Sequence, residues 1–300
     1  MILTICLNPV LQKTLCFSST LEKSCVNRVL AHRLDASGKG INVSRVLTQL
    51  NEKVLHITQL GGDFYTVFKK LCKEDGIILK CVKTKSSIRF CYTVIDSEVT
   101  ELVEEGYYAG REEEKHIMRN IESVLKRKKI NAVVLSGTKA PGFSDTVYPE
   151  IVCECLFRGI PVIADYRGKD LVNTLDAVKN CKNAPLLTIK PNISELCSTF
   201  SCETTEKGAV EQIEYITKVY GCSCIITQGE KPVLVRTSDG FRRYEIIKAR
   251  TVQNTTGCGD AFTAGFASVI SRGGNCNEAV LKGLECGAKN AETIRPGSIY

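Results

Sequence analysis

The order in which short apolar runs and amphipathic stretches follow one another constrains this chain more than any other feature. Ile2–Leu7 and Val54–Leu60 read as buried strands and Phe64–Lys73 as a helix. Ala132–Ser136 (strand), Asp145–Phe157 (helix), Pro161–Asp165 (strand) and a helical stretch to about Asn180 come next. Leu186–Lys190, Glu206–Tyr220 and Cys224–Thr227 continue the alternation. Parallel neighbours need a crossover and a helix supplies it, so this order predicts an α/β fold: a doubly wound, mainly parallel sheet with helices on both faces. Two segments depart from the pattern. Ile88–Asp96 followed by Thr100–Glu104 alternates like an antiparallel hairpin turning near Ser97-Glu98, and Leu11–Arg33 carries extended stretches of mixed polarity. Both are expected in a small sheet outside the main one, with strands from about residues 10–34 and 87–107. Two helical patterns, Ala261–Ser271 and Asn277–Glu292, close the chain. No repeat or long linker interrupts residues 1–300, which read as one domain with an appended sheet.

Composition excludes several classes. Hydrophobic residues are 43% and charged residues 24% of the 300, which fits neither disorder nor a membrane protein. The longest apolar runs, such as Ile2–Leu7 and Ala132–Leu135, fall far short of the roughly 20 residues that span a bilayer. No basic region precedes an apolar stretch at the N-terminus, so no signal peptide is expected. The 16 cysteines raise the question of a disulfide or zinc framework. Disulfide-dense domains are usually short and secreted. The closest cysteine pairs, Cys153/Cys155 and Cys222/Cys224, have one residue between them, and His32, His56 and His116 lie near none of them. Zinc pairs usually have about two to four residues between them. Most of these cysteines therefore read as small buried apolar residues in a reducing, cytoplasmic setting. The net charge of +7 includes one dense run, Lys126-Arg127-Lys128-Lys129, after a helical pattern of Ile117, Ile121, Val124 and Leu125. Cations there face the partial negative charge of a helix end; a polyanion patch is the other reading. No aromatic–basic alternation of the RNA-binding kind is present, so the expected partner is a small, anionic substrate and neither nucleic acid nor membrane.

Three glycine- or proline-marked segments carry chemistry. In Asn254-Thr255-Thr256-Gly257-Cys258-Gly259-Asp260-Ala261-Phe262-Thr263-Ala264-Gly265, two glycines flank one residue and an apolar helix pattern starts at once. Backbone N–H groups converging at such a helix start form an anion site, and Asp260 at its mouth is placed to take a proton from an attacking hydroxyl. A glycine turn whose aspartate only caps the helix fits the local pattern as well. Ser37-Gly38-Lys39-Gly40-Ile41-Asn42 also opens a helix; Gly40 stands where a Walker A loop needs Ser or Thr, so Lys39 and Asn42 offer hydrogen bonds to a polar ligand, or the segment is an ordinary turn. Lys190-Pro191-Asn192-Ile193-Ser194-Glu195-Leu196 ends a strand and starts a helix, at the sheet edge where open α/β folds bind ligands. Asn192 and Glu195 share a side of the first turn and suit hydrated Mg²⁺ and phosphate oxygens, or a cap.

Together and in this order, the three segments resemble the PfkB carbohydrate kinases of the ribokinase-like superfamily. Asn254–Gly265 is similar to the family's (D/S)-T-x-G-A-G-D-x-F-x-A-G signature, Ser37–Asn42 to G-G-K-G-x-N, and Lys190–Leu196 to K-P-N-x-x-E-L. Leu7-Asn8-Pro9, Val26-Asn27-Arg28, Arg89, Thr100-Glu101, Leu135-Ser136-Gly137-Thr138 and Asp165-x-x-Gly168 match its phosphosugar-kinase branch, that of 1-phosphofructokinase and tagatose-6-phosphate kinase. The resemblance implies a ribokinase-like sheet with a β lid that commonly mediates a homodimer. It also implies an ATP- and Mg²⁺-dependent kinase for a sugar or sugar-phosphate hydroxyl.

Carried onto this chain, Asp260 is the general base and the N–H groups of Thr256, Gly257, Cys258 and Gly259 form the anion hole. Lys190, Asn192 and Glu195 attend the nucleotide phosphates and magnesium, Asn192 and Glu195 holding the metal through water. Thr227 and Gly229 hold the nucleotide, and Asn290 lies beside the adenine. On the sugar side stand Gly38, Lys39, Gly40 and Asn42, with Arg89 and Arg28 for a substrate phosphate; for Arg28 a solvent-facing place fits equally. Departures are Gln12 where the family usually has an aspartate on the sugar hydroxyls, Ser37 for a glycine, Cys258 for an alanine, Lys139 for a leucine and Pro232 for a glycine. Gln12 leaves open a kinase for an unphosphorylated sugar or a nucleoside. A non-catalytic sugar-phosphate sensor on the same fold is the third reading.

Overall fold

The computed structural model describes all 300 residues, Met1–Tyr300. In chain order it forms β1 (Ile2–Cys6), β2 (Val10–Cys16), β3 (Ala31–Ser37), α1 (Lys39–Gln49), β4 (Val54–Gly61), α2 (Tyr65–Glu74), β5 (Ile78–Thr84), β6 (Arg89–Ile95), β7 (Val99–Val103) and α3 (Arg111–Arg127). There follow β8 (Ala132–Ser136), α4 (Val147–Phe157), β9 (Val162–Asp165), α5 (Lys169–Val178), β10 (Leu187–Ile189), α6 (Ile193–Phe200), α7 (Glu206–Tyr220), β11 (Ser223–Gln228), β12 (Lys231–Thr237), β13 (Gly240–Tyr244), α8 (Cys258–Ser271) and α9 (Cys276–Ala291).

Nine strands make the main sheet in the order β13-β12-β11-β10-β9-β8-β1-β4-β5. The seven from β11 to β5 are parallel, whereas β12 and β13 run antiparallel at one edge. The chain winds outward from β1 through β4 and β5, then crosses back to β8 on the other side of β1. This reversal opens a crevice at the carboxyl ends of the strands, where ligands bind in such sheets. On one face Leu3, Ile5 and Leu7 pack with Ile117, Ile151, Leu171 and Ile213 from α3, α4, α5 and α7. On the other, Ile2, Val134 and Ile163 pack with Val46 of α1, Phe266 of α8 and Leu284 of α9. Burial on both faces is why these strands read as nearly unbroken apolar runs. Truncating a fully buried side chain such as Ile5 to alanine costs about 2–5 kcal/mol.

The expected small sheet is present, ordered β3-β2-β6-β7. The β6–β7 pair is the antiparallel hairpin read from Ile88–Glu104, and Glu98 N–H donates to Asp96 Oδ1 in its turn. The hairpin joins the rest through a parallel pairing of β6 with β2. One boundary needs correction: within Leu11–Arg33 only the two ends are strand, and residues 17–30 form a mostly exposed connection. Their polar run, Ser18-Ser19-Thr20, offers no two-residue alternation to pair. β3 instead extends to Ser37, so a lid strand runs directly into Gly38 and α1. The lid root packs Leu11, Ala36 and Ile88 against Leu60, Phe68 and Cys72. Strands β5, β12 and β13 were not expected. The last two form a hairpin turned by Ser238-Asp239 at the sheet edge, where half-buried Arg236 and exposed Arg242 and Arg243 dilute the apolar signal. Of the basic run, Lys126 and Arg127 occupy the last turn of α3, whose first turn carries Glu112, Glu113 and Glu114. No helix is long and apolar enough to cross a membrane.

Candidate active site

Asp260 sits in the first turn of α8, behind Gly257 as the helix N-cap. Gly257 adopts φ 85°, and a Cβ there would lie 2.3 Å from the backbone nitrogen of Gly297. Only glycine permits both the left-handed turn and that close approach. The N–H groups of Gly257, Gly259 and Asp260 donate to no acceptor in the chain. The expected set was Thr256–Gly259, and this needs correction: Thr256 N–H donates to Asn254 Oδ1 at 3.0 Å and Cys258 N–H to Thr255 O at 3.3 Å. The Asx turn at Asn254 that shapes the loop takes up the first of these donors.

The Asp260 carboxylate is 7% exposed and accepts from Asn42 Nδ2 at Oδ2, 2.8 Å away. Burial first, and then the negative charge of Asp165, push its carboxyl up to about 7; Lys39, the Asn42 hydrogen bond and Lys190 oppose the rise. Asp165, at the end of β9, accepts from Thr263 Oγ1 at 3.0 Å. Burial works against its charge, but the ammonium groups of Lys190 and Lys39 hold its carboxyl below the ordinary value. Lys190 Nζ lies 3.3 Å from Asp165 Oδ2. Lys39 Nζ lies 3.1 Å from Asp165 Oδ1 and 3.1 Å from Glu195 Oε1, bridging the two carboxylates. A Cβ built on Gly259 would meet nothing nearer than Lys190 Nζ at 3.8 Å, so the free N–H of Gly259 and the Lys190 ammonium face one space. Two cations, three unpaired N–H donors and a carboxyl titrating near neutrality thus converge on one end of the sheet.

The other expected residues divide. Asn192 and Glu195 form a capping box at the start of α6: Asn192 Oδ1 accepts from Glu195 N–H at 2.8 Å and Glu195 Oε2 from Asn192 N–H at 3.1 Å. Asn192 also bridges to Thr227 of β11, bringing the Gly229 turn to the same sheet edge. Gly40 lets α1 press onto β1, since a Cβ would lie 2.8 Å from Cys6 Cβ. Gln12 does not present its amide to the crevice. It is 4% exposed, donates to Thr93 Oγ1 at 2.6 Å and accepts from Ser37 Oγ at 2.7 Å. Arg89 opens β6 beside Asn8, with NH1 donating to Glu104 O at 2.9 Å while its buried Nε has no acceptor. Lys139 is drawn to Asp170 and to Asp145, the latter at 3.2 Å.

One expectation needs correction. Asn290 is completely buried and does not border open space: its Nδ2 donates to Thr256 O at 2.9 Å and its Oδ1 accepts from Ser298 N–H at 3.0 Å. It staples the Gly257 loop to the segment after α9. Arg28 lies in the exposed connection of the lid and makes no side-chain hydrogen bond or ion pair in the chain, a place that fits either of its two expected roles. Sequence reasoning matched Asp165 to the family without giving it a task and passed over Thr263 and Arg45. Position at the end of a strand and the Asp165-x-x-Gly168 match were the signals for Asp165.

The model described as pfkB family carbohydrate kinase matches residues 8–298. Phosphofructokinase-2 from Escherichia coli in complex with fructose-6-phosphate superposes with a TM-score of 0.83 at 20% identity, covering 97% of this chain and 93% of that one. A possible 1-phosphofructokinase from Thermotoga maritima gives 0.85 at 20% identity over 100% and 93% of the two chains. Ribokinase from the same organism gives 0.73 at 16% identity over 99% and 94%. The fold is therefore ribokinase-like, and its signature segments meet at one sheet edge. The chain belongs to the pfkB family of carbohydrate kinases and is an ATP-dependent sugar kinase.

Proposed function

We propose that the protein transfers the γ-phosphoryl group of ATP to a hydroxyl of a ketose phosphate, in the manner of 1-phosphofructokinase (fructose 1-phosphate to fructose 1,6-bisphosphate) or of tagatose-6-phosphate kinase. The observation that supports the phosphorylated substrate is Arg89: a half-buried guanidinium at the lid–sheet junction whose NH2 has only a long contact, 3.5 Å, to Asn8 O. A phosphate oxygen there would gain a charge-assisted bond that the chain itself does not supply.

In this reading Asp260 removes the proton of the acceptor hydroxyl through Oδ1, which no donor of the chain occupies. The N–H groups of Gly257, Gly259 and Asp260, with Lys190, stabilise the charge that grows on the transferring group. Gly38, Lys39, Gly40 and Asn42 line the sugar side; Asn192, Thr227 and Gly229 line the nucleotide side. The donor chemistry suits Mg²⁺ held through its waters. Glu195 and Asp165 are hard oxygen donors, and no three His, Cys, Asp or Glu side chains converge into a protein cage. Asn192 and Glu195 would hold the hydrated ion, which neutralises phosphate charge when bound. The lid is proposed to pair with a second lid in a homodimer, since β7 is exposed along its whole length and Val26, Leu30, Leu102 and Val103 lie open around it. The protein is taken as cytoplasmic.

The test is ATP consumption across ketose phosphates, free ketoses and nucleosides, with Arg89→Ala and Asp260→Asn alongside. Arg89→Ala is expected to raise KM for a ketose phosphate about a hundredfold, or about 2.7 kcal/mol, and leave free ketoses unchanged. The second reading, a kinase for an unphosphorylated sugar or nucleoside, is favoured by Gln12, which places no carboxylate on the sugar. It stands if free sugars or nucleosides are turned over fastest and Arg89→Ala is silent. Ligand binding with no turnover of any substrate would leave a sensor.

A further inference from the structure

Arg45 is an arginine almost entirely removed from solvent, at 1% exposure, in the middle of α1. Burying an ion carries a desolvation penalty of several kcal/mol, which packing alone does not justify. All three of its guanidinium nitrogens have acceptors. Nε donates to Asp75 Oδ2 at 2.9 Å, NH1 to Asn42 Oδ1 and to Pro296 O at 3.0 Å each, and NH2 to Ala36 O on the lid strand β3. Asn42 and Arg45 stand three residues apart, on one face of the helix.

This contact decides which way the Asn42 amide points. Oδ1 accepts from Arg45 NH1 at 3.0 Å, so Nδ2 is left to face Asp260 and donates to it at 2.8 Å. A flipped amide would set two donors against each other at Arg45 and place an oxygen against the carboxylate. We propose that Arg45 is a positioning residue of the reaction: through Asn42 it holds the catalytic carboxylate of Asp260 as a hydrogen-bond acceptor in one orientation. The same guanidinium grips β3 and the Pro296 turn, so lid strand, substrate loop and base share one anchor. The inference rests on the reading of Asp260 as the base.

The groups facing Asp260 are Asp165 from β9, Lys39 and Asn42 from α1, Lys190 after β10, and the thiols of Cys6 on β1 and Cys258 on α8, both pushed up by burial. Of these, Arg45 controls Asn42 alone. Loosening Asn42 removes a donor that favours the ionised form of Asp260, so the acid limb of kcat moves to higher pH. Arg45→Lys keeps the charge beside Asp75, but one ammonium cannot serve the acceptors a planar fork reaches. Arg45→Met leaves Arg295, which pairs with Asp75 and Asp35, to balance those carboxylates.

The experiment compares kcat, KM and the pH profile of kcat for wild type, Arg45→Lys, Arg45→Met and Asp260→Asn, with thermal unfolding as the control for folding. Arg45→Lys is expected to lower kcat at pH 7.5 about tenfold, the equivalent of about 1.4 kcal/mol. KM should hold within about threefold, and the acid limb should move up by about half to one unit. A variant that melts lower yet, where folded, keeps the wild-type kcat and acid limb overturns the proposal and makes Arg45 structural only. If Arg45→Lys does not fold, Arg45→Met decides by the same readouts. Should both fail to fold, Asn42→Leu with a wild-type acid limb overturns it equally. An active Asp260→Asn variant instead brings down the assignment of the base.

Discussion

The Lys190 ammonium lies 3.3 Å from Asp165 Oδ2, and this pair holds a negative charge in place behind the candidate base. Asp165 stays ionised because Lys190 and Lys39 face it, and its charge then adds to burial in lifting Asp260 to about 7. A base must be deprotonated to act, so kcat is expected to fall below an acid limb near pH 7, with unit slope in a plot of log kcat against pH. Asp165→Asn removes the lifting charge and frees both lysines toward Asp260, and each change favours the carboxylate. The limb should therefore move to lower pH. A pH–rate series on the two proteins checks this, and an unmoved or alkaline-shifted limb contradicts the electrostatic account.

The same burial makes Asp260 costly to the fold. Its folded pKa of about 7 stands above the unfolded value near 3.8. Between these values the unfolded chain holds fewer protons, so stability falls as pH rises through the window and the full loss is present at neutral pH. The shift corresponds to something on the order of 2–4 kcal/mol. Asp260→Asn keeps an acceptor for Asn42 and carries no charge. It is expected to melt several degrees higher at pH 7.5, match wild type near pH 3.5, and lose about 10²–10⁴ of kcat. Thermal unfolding at the two pH values reads the sign directly.

What was legible beforehand follows a physical division. Asp260, Gly257, Lys190 and the Asn192–Glu195 pair lie in short segments whose spacing alone specifies a helix start, and the parallel sheet was legible because β1, β8 and β9 are buried on both faces. The Asn192–Glu195 spacing also served a capping box, and the structure shows that box formed. Partners far apart in sequence were not legible. Lys39 joins Asp165 and Glu195 across more than 120 residues, and Gln12 turns to Thr93 on a strand whose pairing with β2 no local pattern announces. Asn290 was placed by analogy with a helix position. Its burial depends on Ser298, eight residues on in an irregular segment with no periodicity to read.

Gly257 tests the backbone at the anion site separately from its charges. An alanine methyl would collide with Gly297 N at 2.3 Å, and φ 85° disfavours any side chain there. Neither atom is the end of a flexible chain, so the loop itself must move. Gly257→Ala is expected to lose about 1–3 kcal/mol of stability and to weaken ATP binding, because the Gly257 and Gly259 N–H groups lose their convergence. Gly259→Ala is the contrast: its nearest neighbour is Lys190 Nζ at 3.8 Å, so the fold should tolerate it while the methyl intrudes on the phosphate space. Unfolding and nucleotide titration on both variants separate the effects; equal stability losses contradict this distinction.

Among the 16 cysteines, Cys258 is the one set inside the candidate anion site, one residue past the helix N-cap. Thiol modification there is expected to block turnover, because an adduct on a sulfur packed against Asn290 Nδ2 would force the stapled Gly257 loop out of place. Reaching that state is slow at neutral pH. Burial pushes the Cys258 thiol up to about 11, only partly offset by Asn290 Nδ2 at 3.4 Å from the sulfur. The thiolate is the reactive form, so at pH 7.5 iodoacetamide should label exposed Cys25 and largely spare Cys258. Labelling of Cys258 should then rise about tenfold per pH unit toward pH 10. Inactivation should follow Cys258 labelling, be slowed by ATP, and vanish in Cys258→Ala, which restores the small residue usual at this place and keeps its activity. Peptide mapping by mass spectrometry against residual activity checks each step. An enzyme fully labelled at Cys258 and still active would contradict this account of the loop.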